Sequence, residues 1–434
     1  MTTRRDFCRG AAALGAASVS GAALCDVPES RCSWKPGHFQ IHMIFTGTCE
    51  SLFLIFPDST TLLLDCGDAD PVNFQSKKFG PGAIAIPPEG ERRAGDSGER
   101  VARYVESVSP NGRDVDWMML SHFHGDHSSG FALAAERLRF ARAIDRGWPD
   151  YDDPLPCPRD RAWMGGSLFR MRELYARLKE RDGLSVEKFR VGARDQLRMV
   201  RDGAAHEGFS VFNLCGCGKI AMPDGSIHDV YGEEHASHDV CVYDENAMSL
   251  GCVFRYGKFS FFTAGDFTAS DRRKGRWCGE SERIERTLAR ACGPVDVAKA
   301  NHHAGWSCPK ELVAALRPRW WLAPVWWKLH CDKDTMNRLS SREAYEGPRT
   351  ILPGMLSGGR RERDAAEPYL ADVPPEVDTP AHIVVDVPPG GETYHVACLD
   401  ASDDRMRVKA VWRAESAERP REPQREDGDS PKKV

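Results

Sequence analysis

Two features that would point to a membrane protein or to a nucleic-acid binder are missing from this sequence of 434 residues. The apolar run at 10–24 is shorter than the roughly 20 residues that a membrane-spanning helix needs. Positive charge is not in excess, since the formal net charge is -5, and this argues against a dedicated binder of long polyanions. The composition, with 41% hydrophobic and 28% charged residues, is instead that of a globular protein with a substantial core.

The N-terminus has the features of an export signal. Arg4 and Arg5 precede the small and apolar run at 10–24, which contains no acidic residue. The pattern resembles a twin-arginine signal, so we expect residues 1–30 to direct export to the periplasm or the outside of the cell. An Ala-rich first helix of the fold is the alternative. Cys25 raises the further alternative of a lipid anchor, although Leu24 before it is atypical of a lipobox.

Cysteines are numerous but do not form an obvious metal-binding pattern. Their number, 15, is odd, so at least one has no disulfide partner within the chain. Cys215 and Cys217 are separated by one residue, which is too close for a zinc knuckle. We expect both to be buried small side chains on a strand.

The order of apolar and polar segments predicts an α/β fold. Residues 39–66 read as three short strands joined by tight turns, and 250–263 read as a β-hairpin. Helix, strand and polar loop then alternate between 281 and 325, which places the polar loops on one rim.

The same reading divides the chain into segments. The main domain is expected at 36–338, with a charged helical insertion at about 145–205. Residues 339–412 are interpreted as a C-terminal extension with a β-hairpin. The Pro-rich and charged end, 413–434, is interpreted as a disordered tail.

Four metal-ligating side chains lie within six positions, namely His122, His124, Asp126 and His127. They follow a strand expected at 116–120, at the end where open α/β sheets build their sites. Alternate side chains of an extended stretch point the same way, so His122 and His124 can bind one ion while Asp126 and His127 face a second. Imidazole and carboxylate together suit zinc, manganese or iron.

Two later loops complete the predicted ligand set. Asp266 ends the hairpin and is a candidate bridge between two ions, and His302 on the next loop can complete the second ion. The predicted ligands are therefore His122, His124, Asp126, His127, Asp266 and His302.

These residues match the His-x-His-x-Asp-His motif of the metallo-β-lactamase superfamily, and the resemblance covers roughly residues 38–335. It implies a four-layer αββα sandwich that holds two divalent ions, with zinc favoured over manganese or iron. Asp65 resembles the aspartate of the first motif, which in relatives supports the site by hydrogen bonding. The stretch at 263–266 resembles the one that supplies the bridging aspartate.

Two further stretches resemble one branch of the superfamily. Residues 245–250, which include Asn246, and 301–305 are similar to motifs in the hydrolase domain of DNA-uptake competence proteins and in some phosphocholine esterases. That branch often has a further histidine near the position of His330. The histidine that would complete the first ion has no single match, and three candidates stay open: His228, His235 and His238.

A pair of divalent ions would lower the pKa of a water between them toward about 7 and produce a bridging hydroxide nucleophile. Asp126 would orient this hydroxide or take its proton, and His303 would donate to the developing oxyanion or leaving group. The resemblance favours hydrolysis of a phosphodiester or phosphomonoester outside the cytoplasm. Hydrolysis of a lactone, thioester or β-lactam is one alternative, and a metal-dependent binding protein without turnover is another.

Two basic clusters, at 272–276 and 360–363, raise the question of a nucleic-acid substrate. Solvated loops are the simpler interpretation of both clusters, so nucleic acid is not favoured. We therefore expect a small-molecule or phosphoester substrate, and a mature protein without a transmembrane segment.

Overall fold

A computed structural model describes residues 23–24, 33–68, 96–151, 158–230, 245–268, 279–327, 330–356, 359–402 and 404–418. The expected export signal lies outside the described residues except for Ala23 and Leu24. The basic cluster at 272–276 and most of the expected C-terminal tail also lie outside them.

The strands of the described residues are, in chain order, β1 Ala23–Leu24, β2 Phe39–Met43, β3 Leu52–Ile55, β4 Thr61–Leu64, β5 Asp114–Met119, β6 Arg139–Asp145, β7 Ser185–Lys188, β8 Phe209–Gly216, β9 Lys219–Ala221, β10 Ile227–Asp229, β11 Gly251–Tyr256, β12 Phe259–Ala264, β13 Val297–Lys299, β14 Trp320–Ala323, β15 Thr350–Pro353, β16 Ala381–Val387, β17 Thr393–Asp400 and β18 Val408–Glu415. They form two sheets. The first has the order β1-β18-β17-β16-β2-β3-β4-β5-β6-β7, and the second has the order β10-β9-β8-β11-β12-β13-β14-β15.

The helices of the described residues are α1 Ser97–Val108, α2 Gly125–Ser128, α3 Phe131–Ala134, α4 Pro158–Asp182, α5 Gly279–Ala291, α6 Lys310–Leu316, α7 Lys333–Leu339 and α8 Arg360–Arg363. No helix in these parts of the chain is long and apolar enough to cross a bilayer.

Strands buried on both faces explain how the layers pack. On β3, Leu52 and Leu54 belong to the core between the two sheets, whereas Phe53 and Ile55 belong to a second core that includes residues of α1, α3 and α4. Successive side chains of a strand point to opposite faces, so one strand serves both cores. Helices α5 and α6 pack against the second sheet. The predicted four-layer αββα sandwich is confirmed, and the architecture is consistent with the metallo-β-lactamase fold.

Two segments that the sequence set apart contribute strands to the first sheet. The expected insertion at 145–205 contains α4, but it also contains β7, which pairs in parallel with β6. The expected extension at 339–412 supplies β16 and β17, and β16 pairs with β2. The last strand, β18, continues to Glu415, past the expected start of the tail. Local patterns did not reveal these pairings because each partner strand is distant in sequence.

The nine cysteines among the described residues are free thiols. Cys215 lies on β8 and Cys217 follows it directly, and both are buried. Burial raises the pKa of the Cys215 thiol well above its usual value. The predicted burial is confirmed for both, but only Cys215 lies on a strand, because Cys217 is in the turn between β8 and β9 with φ of 53°.

A buried histidine makes the first sheet sensitive to acid. His42 on β2 is fully buried, with Nδ1 at 3.0 Å from Tyr104 Oη and Nε2 at 3.2 Å from Gln40 Oε1. Burial lowers the pKa of His42 to about 3, although the Asp386 carboxylate opposes the shift. The folded pKa lies below the unfolded one, so the folded state binds fewer protons. This contribution to stability is complete above pH 6.5 and is lost as the pH falls toward 3.

We expect this histidine to account for a loss of about 2 kcal/mol in unfolding free energy between pH 6.5 and pH 5. Urea unfolding of the wild type and of His42→Gln at both pH values measures it. The substitution keeps a polar group near Tyr104 but removes the titrating imidazole, so it should lose this part of the acid sensitivity. An equal acid-induced loss in both proteins would contradict the assignment.

Candidate metal centre

The predicted site residues follow strands that end on one rim of the sandwich. Asp65 and His122 follow β4 and β5 of the first sheet, and Asp266 and His303 follow β12 and β13 of the second. Within each sheet the two strands belong to its parallel part. Carboxyl ends of parallel strands are where α/β proteins place their ligand sites.

His122 and His124 present a close pair of nitrogens. The Nε2 of His122 lies 3.2 Å from the Nδ1 of His124. Two nitrogens bound to one tetrahedral zinc ion are roughly 3.3 Å apart, given zinc–nitrogen bonds of about 2.0–2.1 Å. Burial, and then the charge of His127, lower the pKa of His122 well below its usual value, so this ring is neutral. A neutral imidazole is the form that binds metal.

Asp126, His127, Asp266 and His303 form a second cluster. The Oδ2 of Asp266 lies 3.0 Å from the Nε2 of His127 and 3.0 Å from the Nε2 of His303. The Oδ2 of Asp126 lies 3.2 Å from the Nε2 of His303 and 3.8 Å from that of His127. These four carboxylate–imidazole separations bracket the roughly 3.3 Å expected between ligands of a tetrahedral zinc ion, so they are compatible with one ion in this cluster.

In two imidazoles, the ring nitrogen that points away from the carboxylates of this cluster makes a hydrogen bond that sets the tautomer. The Nδ1 of His127 donates to Asp65 Oδ2 at 2.8 Å, and the Nδ1 of His303 donates to Pro324 O at 2.9 Å. In a neutral ring the lone pair of Nε2 then faces the carboxylates of Asp126 and Asp266. A lone pair at 3.0 Å from a carboxylate oxygen is repelled unless a cation, either a proton or a metal ion, lies between them.

The second cluster attracts positive charge. Burial opposes the charged form of His127 and of His303, but the carboxylates of Asp266 and Asp126 raise the pKa of both rings well above the usual value. The Oδ1 of Asp266 is buried and has no hydrogen-bond partner. A divalent ion would replace the protons on the two rings and give this oxygen a partner, so the residues present fit a metal ion.

Asp65 links the two groups of histidines. Its Oδ1 accepts from the Ser121 backbone N–H at 2.7 Å, and its Oδ2 accepts from Ser121 Oγ at 2.6 Å and from His127 Nδ1. Ser121 Oγ in turn accepts from the Nδ1 of His122 at 3.0 Å. One buried carboxylate therefore orients His127 directly and His122 through a hydroxyl group, which is the supporting position that the sequence predicted for it.

We expect Asp65→Asn to weaken metal binding by about 10- to 100-fold. An amide has one acceptor oxygen where the carboxylate has two, so it cannot hold both histidines in the same tautomer. Zinc competition titrations measure the affinity, and circular dichroism checks the fold. Unchanged affinity in a folded variant would rule out this orienting role.

Two adjacent histidines occupy positions that differ from those expected. The sequence assigned the second ion to His302 and proton donation to His303. In the structure it is the Nε2 of His303 that faces Asp126 and Asp266. The Nδ1 of His302 donates to Gly305 O at 2.6 Å, and its ring centre lies 5.9 Å from that of His303. Both residues have positive φ, 47° and 56°, so the backbone turns between them in a way that sequence spacing does not reveal.

The remaining residues that the sequence proposed for the site lie in several different parts of the protein. His330 stacks on His303 with ring centres 4.4 Å apart, and its Nδ1 accepts from the Trp327 backbone N–H at 3.3 Å. Asn246 is buried and begins a 3-10 turn before β11. His228 lies on β10, at the edge of the second sheet. Two candidates lie outside the described residues: His235 and His238.

The later basic cluster is part of the fold rather than a solvated loop. Arg360 is buried, donates to His330 O at 2.7 Å and pairs with Asp364 at 3.0 Å. Arg361 pairs with Asp378 at 2.7 Å. These two guanidinium groups are engaged within the protein.

Three residues that the sequence analysis did not single out contact the second cluster. Glu50 Oε2 lies 3.2 Å from His303 Nδ1, and Lys299 Nζ lies 2.8 Å from Glu50 Oε1. Trp326 Nε1 donates to Asp126 Oδ2 at 3.1 Å. A usable signal was present for the first two, because Glu50 lies two positions before an apolar strand and Lys299 is the last residue of a short buried strand.

No protein-family model and no curated protein matches this sequence. Among solved structures, a metallo-β-lactamase with a HARLDQ motif from Cronobacter sakazakii (Enterobacter sakazakii) is similar at 14% identity with a TM-score of 0.30. The match covers 62% of this chain and 79% of that one. Its S60 mutant is similar at 14% identity with a TM-score of 0.31, over 59% of this chain and 73% of that one.

Proposed function

We propose that this protein is a metal-dependent hydrolase of the metallo-β-lactamase superfamily, and that it acts on a phosphomonoester or phosphodiester. The observation that carries the proposal is the second cluster, in which the oxygens of two carboxylates lie 3.0 to 3.8 Å from the Nε2 atoms of two imidazoles. Such a set of closely spaced donors matches a divalent ion better than it matches a network of neutral hydrogen bonds.

In this proposal the site holds two ions, with zinc favoured. His122 and His124 would bind the first, Asp126, His127 and His303 the second, and Asp266 would serve both. When bound, the ions would lower the pKa of a water toward about 7 and polarise the bond to be cleaved.

The side chains of the second cluster have different access to a substrate. The Asp126 side chain is 18% exposed, whereas that of Asp266 is 2% exposed. Asp126 is therefore the carboxylate that a substrate and its attacking water can reach, and we assign it the role of proton acceptor. Trp326 Nε1 donates to its Oδ2 at 3.1 Å and holds it in place. His303 is enclosed by carboxylates, which favours a role as ligand over proton donation.

Charge connects the number of ions to the kind of substrate. Four buried or partly buried carboxylates surround the centre, and the ammonium group of Lys299 contacts one of them, Glu50. With neutral histidines and one bound hydroxide, two divalent ions neutralise the negative charge of this set, whereas a single ion leaves it negative. A site with two ions therefore does not repel an anionic phosphoester, whereas a site with one ion does. The four carboxylates are Glu50, Asp65, Asp126 and Asp266.

A metal analysis paired with a substrate panel tests the proposal. Protein purified without added metal would be analysed for bound ions, then assayed with p-nitrophenyl phosphate, bis-p-nitrophenyl phosphate, a lactone, a thioester and a β-lactam, with zinc or manganese. We expect close to two ions per chain and turnover of a phosphoester. Turnover of carbonyl substrates alone would refute the phosphoester proposal, and bound metal without any turnover would favour a binding protein.

We also propose that residues 1–30 direct export by the twin-arginine route. The proposal is supported by Arg4 and Arg5 ahead of an apolar run. Replacing both arginines with lysine is expected to retain the protein in the cytoplasm, as measured by fractionation and immunoblotting. Export of the Arg4→Lys/Arg5→Lys variant at the wild-type level would contradict this route.

A further inference from the structure

We infer that Glu50 is a positioning residue of the metal centre, which acts together with Lys299 to hold His303 and to join the loops that carry the ligands. The inference rests on the proposed metal-dependent function. It concerns a residue that lies outside the predicted ligand set, on the segment that leads into β3.

Glu50 and Lys299 form an ion pair in the interior. Lys299 Nζ lies 2.8 Å from Glu50 Oε1, and the side chains of Lys299 and Glu50 are 0% and 1% exposed. Removing two charges from water is costly, and the pair attraction alone often does not offset that cost. The pair makes further contacts at the centre, since Lys299 Nζ also donates to Gly265 O at 3.3 Å, next to Asp266.

The carboxylate of Glu50 lies behind the His303 imidazole. Its Oε2 is 3.2 Å from Nδ1, whereas Nε2, on the other side of the ring, faces Asp126 and Asp266. Acidic and imidazole groups of Glu50, His127, Asp266 and His303 lie close enough together to be considered as one ligand set. Lys299 engages one oxygen of Glu50, and the other lies close to the His303 Nδ1–H, which donates to Pro324 O. Glu50 therefore supports the orientation of this ligand by its charge, from behind the ring, and does not bind the ion itself.

The backbone of Glu50 joins it to a third loop. Its N–H donates to Asp126 O at 3.0 Å, and its carbonyl accepts from the Gly67 N–H at 3.3 Å. Glu50 therefore contacts the Asp126 loop by its backbone, the His303 loop by its side chain, and the Asp266 loop through Lys299. The His303 loop needs such support because His303 and Ala304 have φ of 56° and 58°, a strained region for residues with a side chain.

The experiment uses variants that separate an effect on the orientation of His303 from an effect on folding. Glu50→Gln or Lys299→Met alone leaves a buried charge without its partner and is expected to destabilise the fold. The double variant Glu50→Gln/Lys299→Met removes both charges, and Glu50→Asp keeps the charge for Lys299 but withdraws the carboxylate from His303. The control is Asp116→Asn/Arg201→Met, which removes an ion pair of 2.7 Å at the amino end of β5.

Cobalt binding would be measured on the full chain by titration, with the absorption spectrum of the bound ion and circular dichroism as further readouts. We expect the double variant and Glu50→Asp to fold and to bind as many ions as the wild type, with affinity lower by about 10- to 100-fold. The control should bind with wild-type affinity.

Two results would overturn the inference. Wild-type affinity and spectrum in both Glu50 variants would reduce Glu50 to a structural residue, and loss of one cobalt ion per chain would make it a ligand. A wild-type protein that binds no cobalt or zinc would refute the proposed function itself, which distinguishes that failure from the failure of this inference.

Discussion

Replacing Asp266 with asparagine is expected to lower kcat/KM on the best substrate by about 10³-fold and to release metal from the second cluster. Its Oδ2 lies 3.0 Å from the Nε2 atoms of both His127 and His303. It therefore contacts both histidines of the second cluster at the same distance. An asparagine carries no charge and turns an NH₂ group toward one of the ligands. Metal content and steady-state kinetics of the purified variant measure both effects.

A second buried aspartate provides the control for this prediction. Asp296 accepts from the Ser260 N–H at 2.8 Å and from the Ala417 N–H at 2.9 Å, just before β13 and away from the rim that carries the site. Asp296→Asn should keep the metal content and kcat/KM of the wild type even if it unfolds at lower urea concentration. Wild-type metal content in Asp266→Asn would remove Asp266 from the ligand set.

The Arg146→Met variant is expected to lose about 3 to 5 kcal/mol of unfolding free energy. Arg146 Nε and Nη2 donate to the two carboxylate oxygens of Glu245 at 2.8 and 3.0 Å, and both side chains are almost fully buried. Removing the guanidinium leaves a buried carboxylate without its partner charge. Urea unfolding followed by circular dichroism measures the loss.

The same carboxylate holds the metal-binding loop. Glu245 Oε1 also accepts from the backbone N–H of Phe123 at 2.9 Å, and Phe123 lies between His122 and His124. The double variant Arg146→Met/Glu245→Gln has no buried unpaired charge, so it should recover most of the lost stability while the amide oxygen still accepts from Phe123. A double variant as unstable as Arg146→Met would show that packing, not charge, makes Arg146 important.

Much of the fold could be predicted because the pattern that encodes it is local. The strands β2, β3 and β4 were expected within a few residues of where they lie, since alternating side chains are buried on one or both faces of a strand. The pairing of β16 with β2 was not expected, because nothing in either segment specifies a partner more than 300 positions away.

The sequence by itself determined the cluster from His122 to His127, because four ligands within six residues after a strand are close in any fold that this segment adopts. Only the tertiary structure decided which side chain of the 301–305 loop enters the second cluster, since backbone torsions at His302 and His303 orient the two rings. It also decided the pairing of Glu50 with Lys299. Contacts between distant segments arise only when the sheets pack face to face, and the periodicity of the sequence does not predict them.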